Sequence, residues 1–122
     1  MSKRILVVED QEDNRRILRD LLRHAGFEVL EVGDGEQALS ATAAQHPDVI
    51  LMDIQLPLLD GYEATRRIKA DPDLKAIPII VVTSYALSGD EAKARAAGCD
   101  AYVTKPYSPR QLLAKIKEFL PA

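Results

Sequence analysis

Chemistry-bearing side chains stand where the apolar runs of this chain stop. Glu9-Asp10 follows Ile5-Leu6-Val7-Val8, Asp53 follows Val49-Ile50-Leu51-Met52, Thr83 follows Ile79-Ile80-Val81-Val82, and Lys105 follows Ala101-Tyr102-Val103-Thr104. Taken singly, an acid after a strand is usually a solvated residue or a helix cap. Taken together, three carboxylates at one place repel: two like charges ~4 Å apart cost about 4 kcal/mol at an effective dielectric of 20. Something cationic must offset that. Lys105 supplies one charge, and the remaining surplus of hard oxygen ligands suits Mg²⁺, which takes one or two carboxylates, keeps several waters and favours phosphate. No His or Cys stands among them, which disfavours zinc. With a divalent ion and a lysine neutralising it, Asp53 is equipped to attack phosphorus and become an aspartyl phosphate.

The elements that must bring these residues together are legible in the alternation of apolar runs with amphipathic segments, which indicates parallel strands joined by crossover helices. Strands are expected over 4–8, 28–32, 48–52, 79–82 and 101–104. Ile17, Leu18, Leu21 and Leu22 form one helical stripe that stops at Ala25-Gly26, where glycine supplies a left-handed turn. Asp34, Asp60, Ser88 and Ser108 each stand three residues before Glu or Gln, as N-caps do, and Pro109 fits the first helical position. Five βα units cannot close an eight-stranded barrel. The expected fold is therefore α/β: an open, doubly wound, five-stranded parallel sheet of flavodoxin-like order 2-1-3-4-5 with five helices, strands one and three meeting at the switch point where ligands bind.

At 122 residues the chain fits one phosphoacceptor domain over 1–122. With 47% hydrophobic and 29% charged residues it has the balance of a soluble globular protein, and its apolar runs are too short to span a membrane. The first residues run straight into a strand without a secretory signal, and one cysteine makes no intrachain disulfide, so a cytoplasmic location is expected. A net charge of -3, with no Trp to help build a stacking platform, argues against nucleic-acid binding.

The motifs Val7-Val8-Glu9-Asp10, Leu51-Met52-Asp53-Ile54-Gln55-Leu56-Pro57, Val82-Thr83-Ser84 and Lys105-Pro106 resemble those of response-regulator receiver domains, the CheY-like family, across the whole chain. The stretch from Ile50 to Pro57, with Gly89-Asp90-Glu91 and Gly98-Cys99, is similar to DivK-type single-domain regulators. The resemblance implies a two-component phosphorelay role: Asp53 takes a phosphoryl group from a phosphohistidine on a sensor histidine kinase or phosphotransfer protein, and the phosphorylated surface engages a downstream protein effector. It implies Mg²⁺ held by Asp10, Asp53 and the Gln55 backbone carbonyl, with Glu9, where many relatives carry Asp, acting mainly through metal-bound water. By the same resemblance Lys105 pairs with the phosphoryl group, the Thr83 hydroxyl moves in to bond it, Tyr102 turns inward behind Thr83, and the Lys105-Pro106 bond is cis. Such a domain promotes its own phosphorylation and slow dephosphorylation but is not a turnover enzyme, and a homodimer is compatible with it.

Rival functions fit less well. A haloacid-dehalogenase-type phosphatase also uses an Asp nucleophile with Mg²⁺, but it needs a second acid where this chain has Gln55, and a cap domain besides. A flavin carrier of similar topology would need a phosphate-binding first loop, which Glu9-Asp10-Gln11-Glu12-Asp13 would repel. A phosphorylation-independent adaptor would not need Asp10, Asp53, Thr83 and Lys105 intact. Elsewhere, residues 91–97 hold four alanines and no large apolar anchor, which predicts a helix easily displaced. His24 and His46 are expected in solvent, Cys99 as a buried filler, and Arg66-Arg67 with Lys69 as a solvated helix face.

Overall fold

In a computed structural model, residues 2–83, 90–105 and 107–120 are described. Five parallel strands, β1 (Arg4–Val8), β2 (Glu28–Val32), β3 (Val49–Met52), β4 (Ile79–Thr83) and β5 (Ala101–Thr104), lie in the order β2-β1-β3-β4-β5. They alternate with α1 (Glu12–His24), α2 (Gly35–Gln45), α3 (Gly61–Ala70), α4 (Asp90–Ala97) and α5 (Pro109–Glu118). The expected class, strand order and helix number are all observed.

Strand side chains alternate between two apolar layers. Ile5, Val7, Val49, Leu51, Ile80 and Val82 face one way and pack with Leu18 and Leu22 of α1 and Leu112 and Ile116 of α5. Leu6, Val8, Ile50, Met52, Ile79 and Val81 face the other way, with Ala38 of α2, Ala64 and Ile68 of α3, and Ala94 of α4. Helices on both faces explain why the central strands are apolar throughout rather than alternating.

Three helix starts are capped as the sequence predicts: Asp34 accepts from the Gln37 N–H, Asp60 from Glu63 and Ser108 from Gln111. Ser88 lies outside the described residues. Gly26 ends α1 in the left-handed region, at φ 96°. The α1 stripe is narrower than predicted, because Leu18 and Leu22 are buried whereas Ile17 stays 59% exposed. His46 is exposed as expected, but it also caps α2 in the left-handed conformation, at φ 46°.

Lys69 corrects the expectation of a solvated face. Arg66 and Arg67 are exposed and pair with Glu63 one turn back, but the Lys69 ammonium turns toward the sheet. It donates to the Lys75 and Ile77 carbonyls at 3.0 and 2.8 Å and to Asp100 Oδ2 at 2.8 Å. The same Asp100 oxygen accepts from the Ile79 N–H at 2.8 Å. Lys69 thus straps α3 to the starts of β4 and β5, at the end of the sheet opposite the acidic residues.

Candidate functional site

Strand register assembles the acidic site. Pairing of β1 with β3 sets Val8 opposite Met52, so the next residues, Glu9 and Asp53, emerge side by side. The Asp53 N–H continues the ladder to the Val8 carbonyl at 3.0 Å, and the Glu9 N–H does the same to Val32 at 3.1 Å. Glu9, Asp10 and Asp53 each place a carboxylate oxygen so that all three lie within 4.8 Å of one another. Asp10 is exposed at the mouth, while Glu9 and Asp53 retain only 2% and 9% of their accessible surface.

Each buried acid has defined partners. Asp53 Oδ1 accepts from the Ile54 N–H at 2.7 Å and the Gln55 N–H at 3.4 Å, which leaves Oδ2 facing the Lys105 ammonium at 3.8 Å. Glu9 Oε1 accepts from the Gln11 N–H at 3.1 Å, and its Oε2 accepts from Lys105 at 3.0 Å. Lys105 therefore bonds Glu9 and only approaches Asp53. Its own N–H donates to the Thr83 carbonyl at 2.7 Å, which ties the end of β5 to the end of β4. Behind Asp53 the chain passes closely under α3. A Cβ on Gly61 would lie 2.0 Å from the Asp53 carbonyl oxygen, so glycine is required there.

The electrostatics follow from burial and crowding. Burial, then hydrogen bonding to Glu9 and its negative charge, push the Asp53 carboxyl up to about 7, against the pull of Lys105. Burial also pushes Glu9 upward, but its bonds to Asp53, Lys105 and the Gln11 N–H outweigh this and hold it below the usual range. One lysine does not neutralise three carboxylates, so without another cation the pair holds a proton more tightly than a free carboxyl would. An all-oxygen donor set with surplus negative charge fits a hard divalent ion.

The other predicted residues lie close by. Thr83 is buried at the end of β4, and Tyr102, half-buried on β5, shares its face of the sheet because Val81 pairs with Tyr102. Gln55 is exposed on the loop after Asp53. Pro106, and with it the Lys105-Pro106 bond, lies outside the described residues. Two contributors were not foreseen. Arg15 Nη1 donates to the Glu9 carbonyl oxygen at 2.9 Å, and the Tyr107 hydroxyl is pushed up by burial and, less, by the Glu9 charge.

The chain matches the family described as the response regulator receiver domain over residues 5–117. It is 43% identical over 120 residues to the polar-differentiation response regulator DivK of Brucella ovis, covering 98% of each chain. Among solved structures, the receiver domain of a sensor histidine kinase from Pseudomonas aeruginosa, which has a magnesium ion coordinated in its active-site cleft, superposes with a TM-score of 0.91 at 39% identity, covering 98% of each chain. A chemotaxis protein CheY4 of Vibrio cholerae superposes with a TM-score of 0.91 at 27% identity, over 98% of this chain and all of that one. Sequence, fold and the clustered acids agree, and the chain belongs to the response regulator receiver domain family of two-component signalling.

Proposed function

We propose that Asp53 accepts a phosphoryl group from a phosphohistidine on a histidine kinase or phosphotransfer protein, and that the phosphorylated chain signals by binding a protein effector. The observation that carries this is the Asp53 carboxylate itself: Oδ1 is held by two backbone N–H groups while Oδ2 faces the lysine, and the carboxylate is part of the acidic cluster. Oδ1 is the oriented oxygen and Oδ2 the nucleophile. As the new O–P bond forms, the P–N bond to the donor imidazole breaks and its electron pair returns to the ring nitrogen. Asp10, Asp53 and the Gln55 carbonyl would hold Mg²⁺, with Glu9 contributing through water. When bound, Mg²⁺ offsets the charge on the phosphoryl oxygens.

Lys105 then moves its ammonium from Glu9 toward a phosphoryl oxygen, and the Thr83 hydroxyl donates to another. Tyr102, on the same face, fills the space that Thr83 leaves. Tyr102 and Tyr107 line a hollow of about 460 Å³ between β5 and α5 together with Gln111 and Lys115, and this hollow is the natural place for the effector to sense the change.

Incubation with a kinase or phosphotransfer protein labelled on histidine tests the proposal. Label should leave the donor and appear on this chain as a hydroxylamine-labile acyl phosphate. Persistence of all label on a panel of such donors, or a hydroxylamine-stable product, would contradict it.

A further inference from the structure

Arg15 spans the gap between α1, the end of β1 and the neighbouring strand β2. Its Nη1 donates to the Glu9 carbonyl oxygen at 2.9 Å, and its Nε lies 3.7 Å from Glu31 Oε1 on β2. The fork lies against bare backbone, since a Cβ on Gly33 would come within 3.2 Å of Nη1. Only 23% of the Arg15 side chain is exposed.

The bonded carbonyl belongs to the peptide that joins Glu9 to Asp10. The Asp10 carboxylate has no hydrogen bond or ion pair among the described residues, so the backbone, which sets the Cα–Cβ direction and the allowed rotamers, is what brings it beside Asp53. Before Asp10 that backbone is held by the Glu9 N–H bond to Val32 and by Arg15 on the Glu9 carbonyl, and after it by the Gln11 N–H bond to Glu9 Oε1. A guanidinium so near a cation site would by itself repel the cation. Here its charge is balanced: Glu31 faces Arg15 and also sits 3.3 Å from Arg19, which in turn lies 3.8 Å from Asp20. Two arginines and two acids leave no net charge, and the hydrogen bond remains.

We propose that Arg15 is a positioning residue for the cation site, fixing the Glu9-Asp10 peptide so that the otherwise unsupported Asp10 carboxylate is preset beside Asp53. This rests on the assignment of Mg²⁺ to Asp10 and Asp53. Partners that orient metal ligands typically matter by tenfold to a hundredfold in metal affinity. A bond to backbone rather than to the ligand itself belongs at the lower end, about tenfold.

The test is Mg²⁺ binding to the whole unphosphorylated chain by calorimetry, with the Asp10 and Gln11 amide resonances followed in the same titration. Arg15→Met should weaken Mg²⁺ binding about tenfold and shift both amides before metal is added, whereas Arg15→Lys, which keeps a charged donor, should stay within about threefold of wild type. Arg15→Gln, polar but too short to reach the carbonyl, replaces the methionine variant if that one does not fold. If wild type binds Mg²⁺ and the methionine or glutamine variant binds it within twofold as tightly, Arg15 does not position the site although the metal assignment stands. If wild type itself binds no Mg²⁺, the metal assignment fails and the role of Arg15 falls with it.

Discussion

At the scale of single residues, the defining feature is a buried carboxyl whose affinity for a proton is raised by its burial and by the Glu9 charge. Asp53 ordinarily titrates near 3.8, but in the folded chain it is pushed up to about 7. The folded state therefore binds that proton more tightly than the unfolded state, and the associated stability is complete at low pH and lost as pH rises through the window between these values. Glu9 works in the opposite sense, since its lowered value costs stability only in acid below its ordinary 4.5. In chelator, the urea midpoint of wild type should fall relative to that of Asp53→Asn as pH rises from about 4 to about 7, and saturating Mg²⁺ should abolish the difference in slope. Parallel profiles for the two proteins in chelator would show that Asp53 carries no raised affinity for a proton.

At the scale of elements, the sequence predicts most of what places the site and misses what braces it. Strand ends, N-caps and the glycine at φ 96° are local signals, read from residue types a few positions apart. Glu9, Asp10, Asp53, Thr83 and Lys105 were legible for the same reason: each follows an apolar run. Arg15 and Lys69 were not, because their partners are backbone carbonyls and distant acids that only the tertiary fold brings near. Ile17 fits the helical period of its neighbours, yet remains exposed because Leu18 and Leu22 already fill the α1 side of the core.

The Lys69 strap also shows where α4 is held. Its buried anchors, Ala94 and Ala97, lie in its second half, and Gly98 packs on the Lys69 stem, with a Cβ there 2.9 Å from Lys69 Cγ. Neighbouring Cys99 is free and buried. Lys69→Met keeps the stem but deletes three hydrogen bonds. Because Asp100 is partly exposed, screening reduces the loss to about 1–2 kcal/mol in urea denaturation. Locally, the Cys99 thiol should react faster with a disulfide reagent while amide exchange in β1 and β3 stays slow. Unchanged thiol reactivity at unchanged stability would remove the strap from the description of α4.

For the molecule as a whole, Thr83, Tyr102 and the lightly anchored α4 lie toward the β4–β5 edge of one face of the sheet, whereas α2, on the same face, lies toward the other edge beside β1 and β2. Changes at Asp53 should therefore leave through α4, β5 and α5. Adding beryllofluoride with Mg²⁺, a stand-in for the phosphoryl group, should slow amide exchange in α4 or β5 and leave α2 nearly unchanged. Protection confined to α2 would place the output on the opposite edge.

All of this depends on Asp53 being the acceptor, and intact mass measurement after incubation with acetyl phosphate or phosphoramidate tests that most directly. With Mg²⁺, wild type should gain the mass of one phosphoryl group, and neither Asp53→Asn, which keeps the shape but loses the charged nucleophile, nor chelated wild type should gain it. Equal incorporation by wild type and Asp53→Asn would contradict the assignment of Asp53 as the phosphoacceptor.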